Sequence, residues 1–265
     1  MKKTVSFLLV CLLLLVYPVY NLLFVINPAE KSQTQTDEGI SILNSLSAND
    51  VQAVEKNIND ILQKRNLLLG ANQKDIKKAL KALDKGKTTY RKLFKNVYIV
   101  GDSLMNGLEI YNILNSNHLI TQVSANFTHL SENTEKIIGL NPPVLILHYG
   151  INMIGTTENH KKSFISNYTK HIRKLKKELP GTRIIISGLF PVDRSIATAE
   201  RFKNIGAYNK ALKKMCEKLD VEFLNSSSVL KAHPECYGID GIHLSKTFYD
   251  KYWLRFIIEE KGIVG

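Results

Sequence analysis

Three separate stretches of this sequence carry side chains whose types and spacing could do chemistry together. Gly101-Asp102-Ser103-Leu104 ends a β-branched run and opens an amphipathic segment. It sets a hydroxyl at a strand-to-helix turn, where unpaired amides and the helix dipole favour developing negative charge. Tyr149-Gly150-Ile151-Asn152 follows a second apolar run. Its glycine permits close approach of backbone, and its amide side chain can donate to an oxyanion. Asp240-Gly241-Ile242-His243 stands just before the last amphipathic segment. Three residues of separation let a carboxylate reach an imidazole, fix its tautomer and stabilise it when protonated. Each stretch alone has a plainer reading: Ser103 as a helix cap, Asn152 as a turn former, His243 as a surface histidine beside a cap at Ser245.

The elements that must position these residues come from hydrophobic periodicity. From residue 95 onward, short β-branched runs alternate with amphipathic segments, the pattern of a parallel sheet covered on both faces. Strands are expected at 97–100, 119–123, 144–148, 183–187 and 221–224. Helices between them carry apolar stripes such as Ile165, Tyr168, Ile172, Leu175 and Leu179, and then Ile205, Tyr208, Leu212, Met215 and Leu219. A last helix over about 246–260, with Tyr249, Trp253, Phe256 and Ile257, should close the core. The expected fold class is therefore α/β, three layers around a five-stranded parallel sheet. Ligands of such sheets bind beyond the carboxyl ends of the strands, which is where Ser103 and Asn152 fall.

Taken together, the Gly-Asp-Ser-Leu after the first strand, the Gly-x-Asn after the third and the Asp-x-x-His before the last helix resemble the SGNH/GDSL hydrolase family over about residues 95–260. The resemblance implies a flavodoxin-like sheet of order 2-1-3-4-5, with Ser103 as nucleophile, His243 as general base and Asp240 as its orienting partner. It further implies an oxyanion hole made by the amides of Ser103 and Ser124 and the side chain of Asn152. Two positions depart from the family pattern: Ser124 stands where a glycine is usual, and Met153 where many members have an aspartate. A backbone donor survives the first change; the second means that the Asn152 loop is supported differently. His129, His148, His160, His171 and His233 are rival bases, but none has a carboxylate at the same short spacing before a late helix.

The N-terminus bears on where such chemistry would take place. Residues 4–26 are almost continuously apolar, enough at about 1.5 Å per residue to span a hydrocarbon core of about 30 Å. Lys2 and Lys3 precede this run, so the chain after Pro28 should lie outside the cytoplasm. An uncleaved anchor is favoured over a signal peptide because no small-x-small site follows. Residues 28–90 read as a polar tether, then a helical stalk in which Val51, Val54, Ile58, Ile61 and Leu62, and later Ile76, Leu80 and Leu83, recur at helical spacing. Residues 91–265 would be the catalytic domain.

Composition narrows the partners. A formal charge of +12 would suit nucleic acid, anionic lipid or an acidic wall polymer, yet no basic and aromatic interleaving of the nucleic-acid kind occurs. Most lysines, Lys161, Lys162, Lys174 and Lys177 among them, fall on polar helix faces. No cofactor is expected: no Gly-x-Gly-x-x-Gly or P-loop spacing follows any strand, and Cys11, Cys216 and Cys236 lack metal-ligand spacing. The function expected is ester hydrolysis or acyl transfer on O-acetylated polysaccharide or peptidoglycan of the cell envelope, a partner protein on the stalk remaining open. A lipase or lysophospholipase, or a non-catalytic glycan-binding protein of the same fold, are the alternatives.

Overall fold

The structure, a computed structural model, describes residues 69–265 and Ser41. The apolar run 4–26, the tether apart from Ser41 and the first stalk helix lie outside the described residues. Among the described residues, no helix is long and apolar enough to cross a membrane.

Five strands, β1 (Val97–Gly101), β2 (Leu119–Thr121), β3 (Val144–His148), β4 (Arg183–Ser187) and β5 (Glu222–Leu224), form one sheet of order β2-β1-β3-β4-β5. Every pairing is parallel. The inner strands Val-Leu-Ile-Leu-His and Arg-Ile-Ile-Ile-Ser are buried at all positions, because helices cover the sheet on both sides. The edge strands are three residues each, shorter than their β-branched runs, which leaves little unpaired edge. Arg183 at the start of β4 is tolerated because it pairs with Glu222 of β5, which Lys261 also reaches at 3.0 Å.

Adjacent residues at the end of β3 point to opposite faces, as the period of a strand requires. His148 packs on Phe190 (ring centroids 4.4 Å apart), which stacks edgewise on Phe248 and Trp253. Tyr149 packs on Phe127, which meets Phe164 and Tyr168. The helices fall accordingly into two layers. Helices α4 (Phe127–Leu140), α5 (Glu158–Glu178) and α6 (Ile205–Leu219) follow β2, β3 and β4 and pack side by side. On the other face lie α1 (Gln73–Asp84), α3 (Ser103–Ile110), α7 (Ser227–Ala232) and α8 (Leu254–Lys261), with the single turn α2 (Tyr90–Leu93) leading into β1.

Local signals set the helix ends. Asn72, Asp102, Asn126 and Thr157 each cap an N-terminus with a side-chain oxygen, and Asn141, Asp220 and Gly262 end helices in the left-handed conformation. Two elements differ from their sequence expectation. The last helix opens as a π-helical run, Phe248–Trp253, which brings Phe248, Tyr249 and Trp253 all into the core before α-helical winding resumes. The described part of the expected stalk, α1, buries Ile76, Ala79 and Leu80 in the same core cluster as the sheet. It is fastened there by Ala71 N–H to the Gly262 carbonyl and by Arg255 to Asp84 at 2.6 Å. An apolar stripe at helical spacing needs a partner surface, and here the domain itself supplies one.

Candidate active site

The turn after β1 is built around close backbone approach. A Cβ on Gly101 would stand 2.5 Å from the His148 carbonyl, so only glycine lets β1 and β3 run this close at their ends. Asp102 is fully buried, caps α3 through a 3.1 Å bond from the Leu104 amide to Oδ1, and leaves Oδ2 without a hydrogen-bond partner. Burial pushes its carboxyl up to about 7, with the Leu104 amide partly offsetting the shift. Next to it, Ser103 opens α3 with its side chain partly exposed. Tyr249 holds the turn from behind, donating its hydroxyl to the Leu104 carbonyl at 2.5 Å while its ring lies against Gly107.

His243, 140 residues along the chain, brings Nε2 to 3.0 Å from Ser103 Oγ. Its Nδ1 stands 2.5 Å from Asp240 Oδ2, and Asp240 Oδ1 accepts the amides of Ile242 and His243 at 2.9 Å each. Desolvation pushes the Asp240 carboxyl up, but the bond from the His243 ring and those two amides together outweigh it and hold the carboxyl down at about 2. It is therefore a carboxylate at any physiological pH. The loop is shaped by a narrow hairpin: Gly238 N–H donates to the His243 carbonyl at 2.7 Å, Ser245 N–H to the Cys236 carbonyl at 2.8 Å, and Tyr237 bridges Leu244. Gly241, at φ +67°, turns the chain beneath it.

Two further loops follow the neighbouring strands β2 and β3 at the same end of the sheet. Ser124 follows β2 in the left-handed region at φ 58°, a backbone conformation that glycine adopts without strain. It is exposed, and Ala125 beyond it is buried. Asn152 donates Nδ2 to the Ala125 carbonyl at 3.1 Å, which ties the loop after β3 to the loop after β2. An Asn amide has two donor hydrogens, so one remains for a ligand. Gly150, at φ 153°, could not be replaced without collision, since a Cβ there would meet Leu189 at 2.1 Å. Where an aspartate is usual in the family pattern, Met153 packs partly buried on the core and its amide bonds to the Gly150 carbonyl at 2.8 Å.

Ser103, His243 and Asp240 are thus joined in one hydrogen-bonded series, while Ser124 and Asn152 stand on the loops after β2 and β3, which meet at Ala125. The rival histidines stand elsewhere. His148 is fully buried, bonded to Ser187 at 3.0 Å and driven down to about 3 by burial, so its ring is neutral and out of reach of solvent. His129 bonds the Tyr149 hydroxyl at 2.6 Å, His233 bonds Glu235 and stacks on Tyr252, and His171 stacks on Phe127. Sequence reasoning missed the Asp102 carboxyl as a buried acid and Ala125 as the partner of Asn152. The first had a signal, an Asp at the cap position directly after a fully apolar strand; the second depends on two loops meeting and had none. Among the described residues, no group of three or more His, Cys, Asp or Glu side chains could hold a metal.

Comparison with known proteins bears on family and fold. The sequence model of the GDSL-like lipase/acylhydrolase family matches residues 99–251, more than half of the chain. Among solved structures, a protein assigned as a GDSL-like lipase from Parabacteroides merdae superposes with a TM-score of 0.51 at 15% identity, covering 63% of this chain and 95% of its own. An acetylxylan esterase from Geobacillus stearothermophilus gives 0.48 at 12% identity, covering 63% and 93%. Comparison with curated proteins gave no match. With the family match running from within β1 to the opening of the final helix, the chain belongs to the GDSL-like lipase/acylhydrolase family.

Proposed function

We propose that the chain is a serine esterase that acts on O-acyl groups, acetyl first, of cell-envelope glycans. The observation that carries this reading is the 3.0 Å approach of His243 Nε2 to Ser103 Oγ, with Asp240 at 2.5 Å behind the ring. Ser103 Oγ attacks the ester carbonyl carbon as Nε2 takes its proton, and the carbonyl π-bond opens to an oxyanion. The amides of Ser103 and Ser124 and the free Nδ2 hydrogen of Asn152 receive that charge. Collapse breaks the bond to the alcohol oxygen, which leaves with the proton held on His243. Water, or a sugar hydroxyl in a transfer reaction, then gives its proton to His243 and attacks the acyl-serine carbonyl; collapse of this second oxyanion breaks the bond from the acyl carbon to Oγ, Ser103 takes back the proton from His243, and the acid or the new ester leaves. Asp240, ionised throughout, keeps Nδ1 protonated and Nε2 free to accept.

The envelope as the place of action follows from the apolar run 4–26 behind Lys2 and Lys3, and from the +12 charge, which suits an acidic polymer. A second reading, a lipase or lysophospholipase, draws on two exposed apolar side chains beside the site. Val123, 62% exposed, precedes Ser124, and Ile239, fully exposed, precedes Asp240. An acyl chain longer than acetyl would find apolar surface in such side chains.

One experiment separates these. The full-length chain is treated with a serine-directed fluorophosphonate and assayed on p-nitrophenyl esters of increasing acyl length. The esterase reading expects labelling that is lost in Ser103→Ala, with acetate turned over fastest. Fastest turnover of long chains would favour the lipase. No labelling and no turnover would leave a glycan-binding protein that has kept the fold.

A further inference from the structure

The loop that carries Asp240 and His243 has a second side. Behind it, between the segments after β4 and β5 and the start of α6, lies a cavity of about 460 Å³. Its interior is lined by Val192, Phe202, Leu230 and Tyr237, and at its mouth stand Arg194 and Lys231, both exposed. Neither cation forms an ion pair among the described residues. The single carboxylate in the lining, Asp193, is engaged by Ser195, whose amide and hydroxyl donate to the same Oδ1 at 2.9 and 2.5 Å. With Asp193 ionised and acting on Arg194, the lining keeps one net positive charge over aromatic and aliphatic walls, a combination that accepts a ring-sized group with an anionic substituent.

The cavity is coupled to the reacting groups by backbone. The Tyr237 hydroxyl donates to the Pro191 carbonyl at 2.8 Å, and Asp193 N–H donates to the Gly241 carbonyl at 2.8 Å, so the loop's two strands are pinned to the cavity wall. Tyr237 is the neighbour of Gly238, whose amide bonds the His243 carbonyl at 2.7 Å. From the lining to the candidate base is thus a step of one residue and one backbone hydrogen bond.

We propose that this cavity is a subsite for an anionic sugar unit of the acylated polymer, one bearing a carboxylate or a phosphate, held by Arg194 and Lys231. This rests on the esterase reading above and narrows its substrate class to acidic glycans. A unit seated here presses on the wall that holds Gly241 and so steadies Asp240 and His243 while a neighbouring sugar reacts.

The test uses the full-length chain and O-acetylated oligosaccharides of equal length that are neutral, uronate-bearing or phosphate-bearing. The expected result is a kcat/KM about tenfold higher for an anionic substrate than for the neutral one at low salt, falling as salt screens the contact. That preference should vanish in R194Q/K231Q and survive in R194K/K231R; which anionic arm gains more identifies the substituent. Equal rates on neutral and anionic substrates, or a preference that persists in R194Q/K231Q, would overturn the subsite and leave only the general positive field. The ratio is unaffected by a fraction of misfolded enzyme, which lowers both rates. Should no substrate be turned over, the esterase reading fails on its own, and calorimetric binding of the same oligosaccharides to the chain and to R194Q/K231Q still decides the subsite.

Discussion

At the scale of the residue, the geometry assigns unequal costs to single changes. Asn152 joins two loops through one hydrogen, and in the mechanism proposed above the other serves the oxyanion. Asn152→Ala should therefore lower kcat on an acetyl ester by ~10²- to 10³-fold, the usual cost of one oxyanion donor, with a smaller change in KM. Steady-state kinetics decide it, and an unchanged kcat would remove Asn152 from the site. Gly150 is constrained in another way. Gly150→Ala drives a methyl into Leu189 at a backbone angle that side chains avoid, and should cost about 1–3 kcal/mol of stability and displace the Asn152 loop. Denaturant melts read the first and ester turnover the second. Of these residues, Ser103, Asn152, Asp240 and His243 were legible as types at telling positions, because nucleophile, donor, base and orienter need particular functional groups. The obligation on Gly150 was not, since it comes from a leucine 39 positions away.

At the scale of the element, helix α3 is where site and core meet. Its N-terminus presents Ser103, while its far side receives the ring of Tyr249 at Gly107 and bonds its hydroxyl at Leu104. A Cβ at Gly107 would lie 2.8 Å from that ring. Gly107→Ala gains helix propensity of about 1 kcal/mol yet must push Tyr249 aside, so the net effect should be destabilising and should slow turnover by tilting the serine. A melting temperature above that of the parent would show instead that the ring yields freely. Periodicity located the strands and the main helices because burial on one stripe, or on both faces, writes itself into every third or every second residue. It did not foretell the π-helical run Phe248–Trp253, where the core demands three large aromatics within six residues. Nor did it tell that α1 lies on the domain, since an apolar stripe records that a helix is covered and not by what.

At the scale of the whole molecule, a buried acid beside the serine ties stability to pH. Asp102 is held at about 7 by burial, above the ordinary carboxylate value of 3.8. Below about pH 4 its carboxyl is protonated whether the chain is folded or not. Between about 4 and 7 the unfolded chain releases that proton and the folded one keeps it, so folding loses stability as pH rises through this window, by up to about 4 kcal/mol. Asp102→Asn keeps the cap without the charge. Thermal melts from pH 4 to 8 should show the variant gaining on the parent as pH rises, and a constant difference would reject the buried acid. What the sequence by itself determined is the set of elements and the kinds of reactive group, because periodicity and functional-group chemistry are local. Only the tertiary structure decided that Ser103 and His243, 140 residues apart, meet at 3.0 Å, that Asn152 leans on Ala125, and that a cavity lined by Arg194 and Lys231 backs the histidine loop. Those facts depend on sheet order and loop packing, in which distant segments share one space, and no single stretch of chain records its neighbour.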